Sequence, residues 1–196
     1  MIGIVTGLQV EADIARLVPN AQVLCLGPGP IKALQAAEAL VEQGATILMS
    51  FGIAGGLDPA LKAGDLVAAP ADLARRVGAK AETIATVTDP AMTPRDKALL
   101  YKRSGCSAVD METSAVRDVA SAHALAFQIV RAICDTADDT IPEIALKGVS
   151  PAGETRPMRV AAGLLTRPQD VAALMTLGKR QKTALEALRL AVKVLR

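Results

Sequence analysis

Short apolar runs alternating with amphipathic stretches organise the first two thirds of the chain. Ile2–Thr6, Val23–Leu26 and Thr46–Phe51 are apolar segments of strand length that run into Gly or Gly/Pro clusters, and Asp65–Ala69 and Glu82–Thr88 read as further strands. Glu11–Val18, Ile31–Gln43, Asp96–Arg103 and Met111–Ala124 read as helices. Ala126–Cys134 is apolar except for Gln128 and Arg131 and stops at Asp135, the pattern of a buried strand that carries a carboxylate to its C-terminal edge. This alternation predicts an α/β architecture, a mostly parallel sheet covered on both faces. After Asp139 the pattern changes to a Pro/Gly-punctuated loop, Ile141–Pro157, and then to helical sequence, with Thr166-Arg167-Pro168 offering a cap and a proline near a first turn. No repeat and no second domain is visible, so residues 1–196 are expected to form one domain.

Composition narrows the classes. A chain of 196 residues that is 51% hydrophobic can bury a full core. With no Trp, one Tyr and two Phe, that core is built from Ala, Val, Leu and Ile and offers few platforms for stacking nucleic-acid bases. The net charge is only +2, and the basic excess collects in Arg156–Arg196 rather than around the acidic cluster Asp135, Asp138 and Asp139; nucleic acid is not an expected partner. Three cysteines, Cys25, Cys106 and Cys134, have no CxxC spacing and each adjoins an apolar run, which predicts buried free thiols rather than disulfides or a metal site. A single histidine, His123, disfavours a His-based zinc site. The start MIGIVTGL has no basic leader, and no window reaches the roughly 18 apolar residues of a membrane span. A cytoplasmic protein is expected, with peripheral membrane contact left open.

Candidate chemistry concentrates in Cys106–Asp139, where Asp110 and Glu112 precede one helix-plus-strand unit and Asp135, Asp138 and Asp139 follow it. In open α/β sheets ligands bind at the carboxyl ends of strands, which makes Asp135 the first candidate. Two glycine clusters bear on ligand binding. Gly27-x-Gly29 precedes a helix, but Lys32 stands where a dinucleotide fingerprint needs its third glycine, so no cofactor is expected there. Gly52-Ile53-Ala54-Gly55-Gly56 follows a strand and, read as a loop, lets backbone N–H groups approach a ligand without Cβ obstruction.

Four segments in order, GIVTGLQVE, FGIAGGLDPALKAGDLV, AVDMETSAV and VRAICDTAD, resemble the purine nucleoside phosphorylase / nucleosidase superfamily, especially the branch containing methylthioadenosine/S-adenosylhomocysteine nucleosidase. The stretch TADDTIPEIALKGVSPAGETRP with the Leu-rich tail is more similar to the hopanoid-biosynthesis-associated members, whose implied substrate is adenosylhopane. The resemblance implies a single-domain three-layer α/β/α phosphorylase-like fold with a mixed, mostly parallel central sheet and a helical C-terminus. It implies that Glu11 activates water, that Glu112 accepts the ribose hydroxyls with Met111 packed on the sugar, and that Asp135 protonates or hydrogen-bonds purine N7. Gly52, Ile53, Ala54 and Gly55 would line the substrate site. It also implies a small-molecule nucleoside as partner, a lipid-linked one for the hopanoid branch, no cofactor or metal, and a homo-oligomer.

The residue types suit cleavage of an N-glycosidic bond to adenine. That bond breaks through an oxocarbenium-like transition state, so the departing purine needs a proton and the opposite face of the ribose needs a nucleophile. Two departures stand out: Ile53 where a hydroxyl residue is common, and Cys134 where the purine acid commonly follows Ser. The chain is also shorter between Gly56 and Asp110, and the aromatic residue that often stacks on the base has no counterpart near Asp89–Thr93. These point to a more apolar or open cavity. Phosphorylases of the superfamily hold phosphate with arginines, whereas the first loop here offers Glu11, with Arg16 further along; a carboxylate repels phosphate and suits water. Hydrolysis is therefore expected, with phosphorolysis and a non-catalytic nucleoside-binding protein as the alternatives.

Overall fold

A computed structural model describes residues 1–195. Its sheet has the strand order β2-β1-β3-β8-β4-β5, formed by β1 (Ile2–Val5), β2 (Ala21–Leu24), β3 (Ile47–Gly56), β4 (Leu66–Ala69), β5 (Lys80–Ala81) and β8 (Ala126–Asp135). Two short strands, β6 (Ile84–Thr86) and β7 (Ala108–Asp110), extend it where β7 pairs with the end of β3. Pairing is parallel except for β4 with β8 and β7 with β3, so the sheet is mixed and mostly parallel. The two ten-residue strands β3 and β8 form its buried centre, as expected when both faces are covered by helices.

Helices α2 (Pro30–Glu42) and α5 (Thr113–Ala122) cover one face, and α1 (Gln9–Ala15), α3 (Ala71–Val77) and α8 (Val171–Leu195) the other. On the first face Ala33, Ala36, Ala37 and Leu40 of α2 meet Ala115, Val116, Val119 and Ala120 of α5; small side chains at helical spacing bring the two helices close. On the second, Ala184, Leu185, Leu188, Ala191 and Val192 form the stripe that docks the long C-terminal helix. The tail therefore supplies a layer of the core. Between β8 and α8 lie α6 (Glu143–Leu146) and α7 (Pro157–Leu164), and α4 (Pro94–Ser104) sits between β6 and β7.

Several sequence expectations are corrected. Gly52–Gly56 is not a loop: it continues β3, because β8 pairs along its length as far as Gly55↔Asp135 and β7 takes its last two residues. Ala71–Val77 and Lys80–Ala81, unassigned in the pattern, are α3 and β5. Met111 and Glu112 precede α5 rather than open it, since Asp110 accepts from the Thr113 N–H at 3.2 Å and from its hydroxyl and so sets the helix start at Thr113. The cysteines are free, but only Cys134 is buried; Cys25 and Cys106 are partly exposed. Among the described residues no helix is long and apolar enough to cross a membrane.

Candidate active site

The carboxyl ends of β1, β3 and β8, with the β7–α5 connection, enclose a cavity of about 220 Å³. Glu11, Ile53, Ala54, Gly55, Met111, Glu112 and Asp135 all line it, so residues spread over the sequence meet at one place. Gly52 does not line it. It lies beneath Glu11, where a Cβ would stand 2.6 Å from the Glu11 carboxyl. Gly7 plays the same part for Glu112, with a Cβ position 2.9 Å from Oε1.

Glu11 sits at the third position of α1 and reaches back to the helix entrance, as in a capping box. Its Oε2 accepts from the N–H groups of Gly7 at 3.1 Å and Leu8 at 2.9 Å, and its Oε1 from Ile53 N–H at 2.8 Å. The Ile53 donor, which the loop reading assigned to a ligand, is thus taken by Glu11. Burial pushes the Glu11 pKa up from 4.5 to about 7, against the opposing pull of Arg131 and the backbone donors. A carboxyl poised near neutrality is suited to act as a general base.

Glu112 is buried and accepts from Gly29 N–H at 3.0 Å, so the Gly27-x-Gly29 segment serves the site as a carboxylate clamp. Burial raises its pKa, partly offset by Arg131, while Asp110 adds to the rise. Arg131 is a residue of the site to which the sequence analysis gave no role. It rises from the middle of β8, fully buried, and its Nη2 lies 2.7 Å from Asp110 Oδ2, 3.3 Å from Glu112 Oε2 and 2.7 Å from Ser50 Oγ. Burial disfavours its charge, but Asp110, Glu112 and Glu11 outweigh that and its proton is held more tightly than usual. The signal was present: a lone arginine in an apolar strand must have anionic partners. Asp110, which also accepts from Thr86 at 2.9 Å, is one of them rather than a ligand-facing group in search of a role.

Asp135 stands at the end of β8 beyond a register shift in which Cys134 is the extra residue, a bulge that re-aims the strand end. Its Oδ2 pairs with Lys97 of α4 at 2.5 Å. Asp139 is spent locally, accepting from Thr136 N–H at 2.7 Å and pairing with Arg180 of α8, and Asp138 is exposed. Cys134 lines the cavity with its thiol pushed up to about 12 by burial and by Asp135, so it carries no thiolate chemistry at neutral pH. Among the described residues lining this cavity Arg131 is the one cation, and it is committed to Asp110 and Glu112.

The α/β/α fold is the one seen in solved nucleosidases. A family model, the phosphorylase superfamily, matches residues 71–166. Among solved structures, the chain is similar to 5′-methylthioadenosine/S-adenosylhomocysteine nucleosidase from Neisseria meningitidis in complex with methylthio-immucillin-A, at TM-score 0.71 and 17% identity over 99% of this chain and 97% of that one. The enzyme of the same name from Colwellia psychrerythraea, in complex with adenine, gives TM-score 0.71 at 16% identity over 99% and 93% of the two chains. Futalosine hydrolase from Helicobacter pylori gives 0.68 at 18% identity over 98% and 97%. No curated protein sequence matches the chain.

Proposed function

We propose that residues 1–196 form one nucleosidase domain that hydrolyses the N-glycosidic bond of a 5′-substituted adenosine and releases adenine. The observation that carries this reading is the placement of a buried carboxyl with a pKa of about 7, Glu11, in the same cavity as Glu112 and Asp135. Glu11 takes a proton from water, Glu112 accepts from the ribose hydroxyls beside Met111, and Asp135 serves purine N7. Val87, Pro90 and Ala91 line the cavity at the segment where an aromatic was missing, so the base rests on aliphatic side chains.

The 5′ substituent is apolar in this reading, and adenosylhopane is the proposed natural substrate. A second, larger cavity of about 620 Å³ shares Leu8, Ile53, Cys134, Asp135 and Ile141 with the first and continues between α7 and α8 past Val160, Leu164, Leu174 and Leu177. The departures at Ile53 and Cys134 fall on the wall common to both. Water rather than phosphate is the nucleophile, because the cavity's arginine is already neutralised by two carboxylates. The domain is proposed to act in the cytoplasm as a homo-oligomer, without a cofactor.

Product analysis tests this directly. Purified protein should release adenine and free sugar from 5′-alkylthioadenosines in phosphate-free buffer, with kcat/KM rising from methyl to octyl. Strict dependence on phosphate with a ribose 1-phosphate product would replace hydrolysis by phosphorolysis. Saturable binding of the nucleosides without any cleavage would leave a binding protein.

A further inference from the structure

Lys97 is the buried residue of α4, with no solvent exposure, and the chemistry above makes no use of it. An ammonium is rarely taken out of water unless fully paired. Here its three N–H bonds meet three acceptors: Asp135 Oδ2 at 2.5 Å, the Thr136 carbonyl at 2.7 Å and the Asp139 carbonyl at 3.2 Å. The protein thus holds a cation directly behind the carboxylate that faces the base. Asp135 Oδ1 makes no hydrogen bond with the described residues, and Asp135 lines the cavity.

A carboxylate only accepts hydrogen bonds, whereas a purine leaving C1′ needs a proton at N7. That proton is present in the pair, on Nζ. When a base fills the cavity, Asp135, the member of the pair that still touches solvent, loses its remaining contact with water. Moving one proton across the short contact converts the pair into an amine and a carboxylic acid, and the acid can then donate to the base. The amine stays satisfied: two N–H bonds serve the two carbonyls and its lone pair faces Asp135.

Building on the nucleosidase reading, we propose that Lys97 supplies, through Asp135, the proton taken up by the departing purine. The Nζ–H bond breaks and an O–H bond forms on Asp135. A half-turn about χ2, a broad torsion in aspartate, presents that oxygen to the base. As the C1′–N9 bond breaks, its electron pair passes into the purine and N7 takes the proton from Asp135. Water forms the new C1′–O bond and gives its proton to Glu11. After product release Glu11 returns a proton to solvent and Lys97 regains one. Lys97 is a positioning and proton-supplying residue that acts through Asp135 and does not touch the substrate.

The test compares Lys97→Arg with Lys97→Met, because a guanidinium keeps the charge and the ion pair but cannot give up its proton. Turnover is measured on 5′-octylthioadenosine and on 4-nitrophenyl ribofuranoside, whose phenolate departs without protonation. Both variants should lower the ratio of nucleoside to phenolate turnover at least 30-fold, with Lys97→Arg no better than Lys97→Met. Nucleoside turnover of Lys97→Arg within threefold of wild type would overturn the proposal and leave Lys97 an electrostatic support. A second measurement needs no variant. In ¹⁵N-lysine-labelled wild type, the Lys97 Nζ resonance should change from ammonium to amine on saturation with a non-cleavable carbocyclic 5′-octylthioadenosine, and a persistent ammonium would equally sink it. Wild type that cleaves neither substrate refutes the nucleosidase reading instead.

Discussion

Replacing Glu11 by Gln separates two consequences of burying that carboxyl. Burial raises its pKa from 4.5 to about 7, so the folded protein binds this proton more tightly than the unfolded chain does. Stability from this group is fully present below pH 4.5 and is lost as pH rises through about 7. At about 1.36 kcal/mol per pH unit the whole span is on the order of 3 kcal/mol, most of it between pH 5 and pH 8. Urea unfolding of both proteins at these two pH values reads the difference. Wild type should lose about 2–3 kcal/mol more than Glu11→Gln on going from the lower to the higher pH, by the same linkage. Glu112 is present in both proteins, so its own titration largely drops out of the comparison. Activity runs the opposite way, because only the ionised form takes a proton from water. Wild-type turnover should climb roughly tenfold per pH unit and level off above about 7, and the variant should fall by about 10²–10⁴ and lack that limb. Equal pH dependence of stability in the two proteins would refute burial as the cause, and a limb surviving in the variant would refute the base role.

Three further outcomes are expected. Asp135→Asn should lower turnover by about 10²–10⁴ and, by leaving the Lys97 ammonium without its carboxylate, cost about 3–5 kcal/mol in stability; adding Lys97→Met should return stability but not activity, and turnover within threefold of wild type would remove Asp135 from the chemistry. Glu112→Gln should weaken ribonucleosides much more than their 2′-deoxy counterparts, and equal losses would make Glu112 structural. Gly52→Ala puts a Cβ 2.6 Å from the Glu11 carboxyl; it should cost about 1–3 kcal/mol by overpacking and reduce turnover at least tenfold, whereas full activity would show that the carboxyl can move aside.

What was legible in the sequence was periodic or local. Apolar runs of strand length and helical spacing placed β1, β2, β8, α2 and α5 to within a few residues, because burial on one or two faces leaves a pattern that a short window contains. Where the window misled, a partner strand was responsible: Gly52–Gly56 reads as a loop until β8 and β7 pair with it. Glu11, Glu112 and Asp135 were named from motifs, and the fold brings all three to one cavity.

The electrostatic partners were decided elsewhere. Arg131 announced itself as a charge in an apolar strand, but its choice of Asp110 and Glu112 required β7 and β8 to approach the same end of β3. Lys97 left no trace at all, since a lysine on a surface helix looks the same whether its ammonium meets water or a carboxylate 38 positions away. The C-terminal stretch read as helical, yet only packing made α8 a wall of the apolar cavity beside Asp135. A sequence records which residues prefer to leave water. Which charge neutralises which is settled only by the distances that folding sets, since that energy depends on separation and local dielectric rather than on order along the chain.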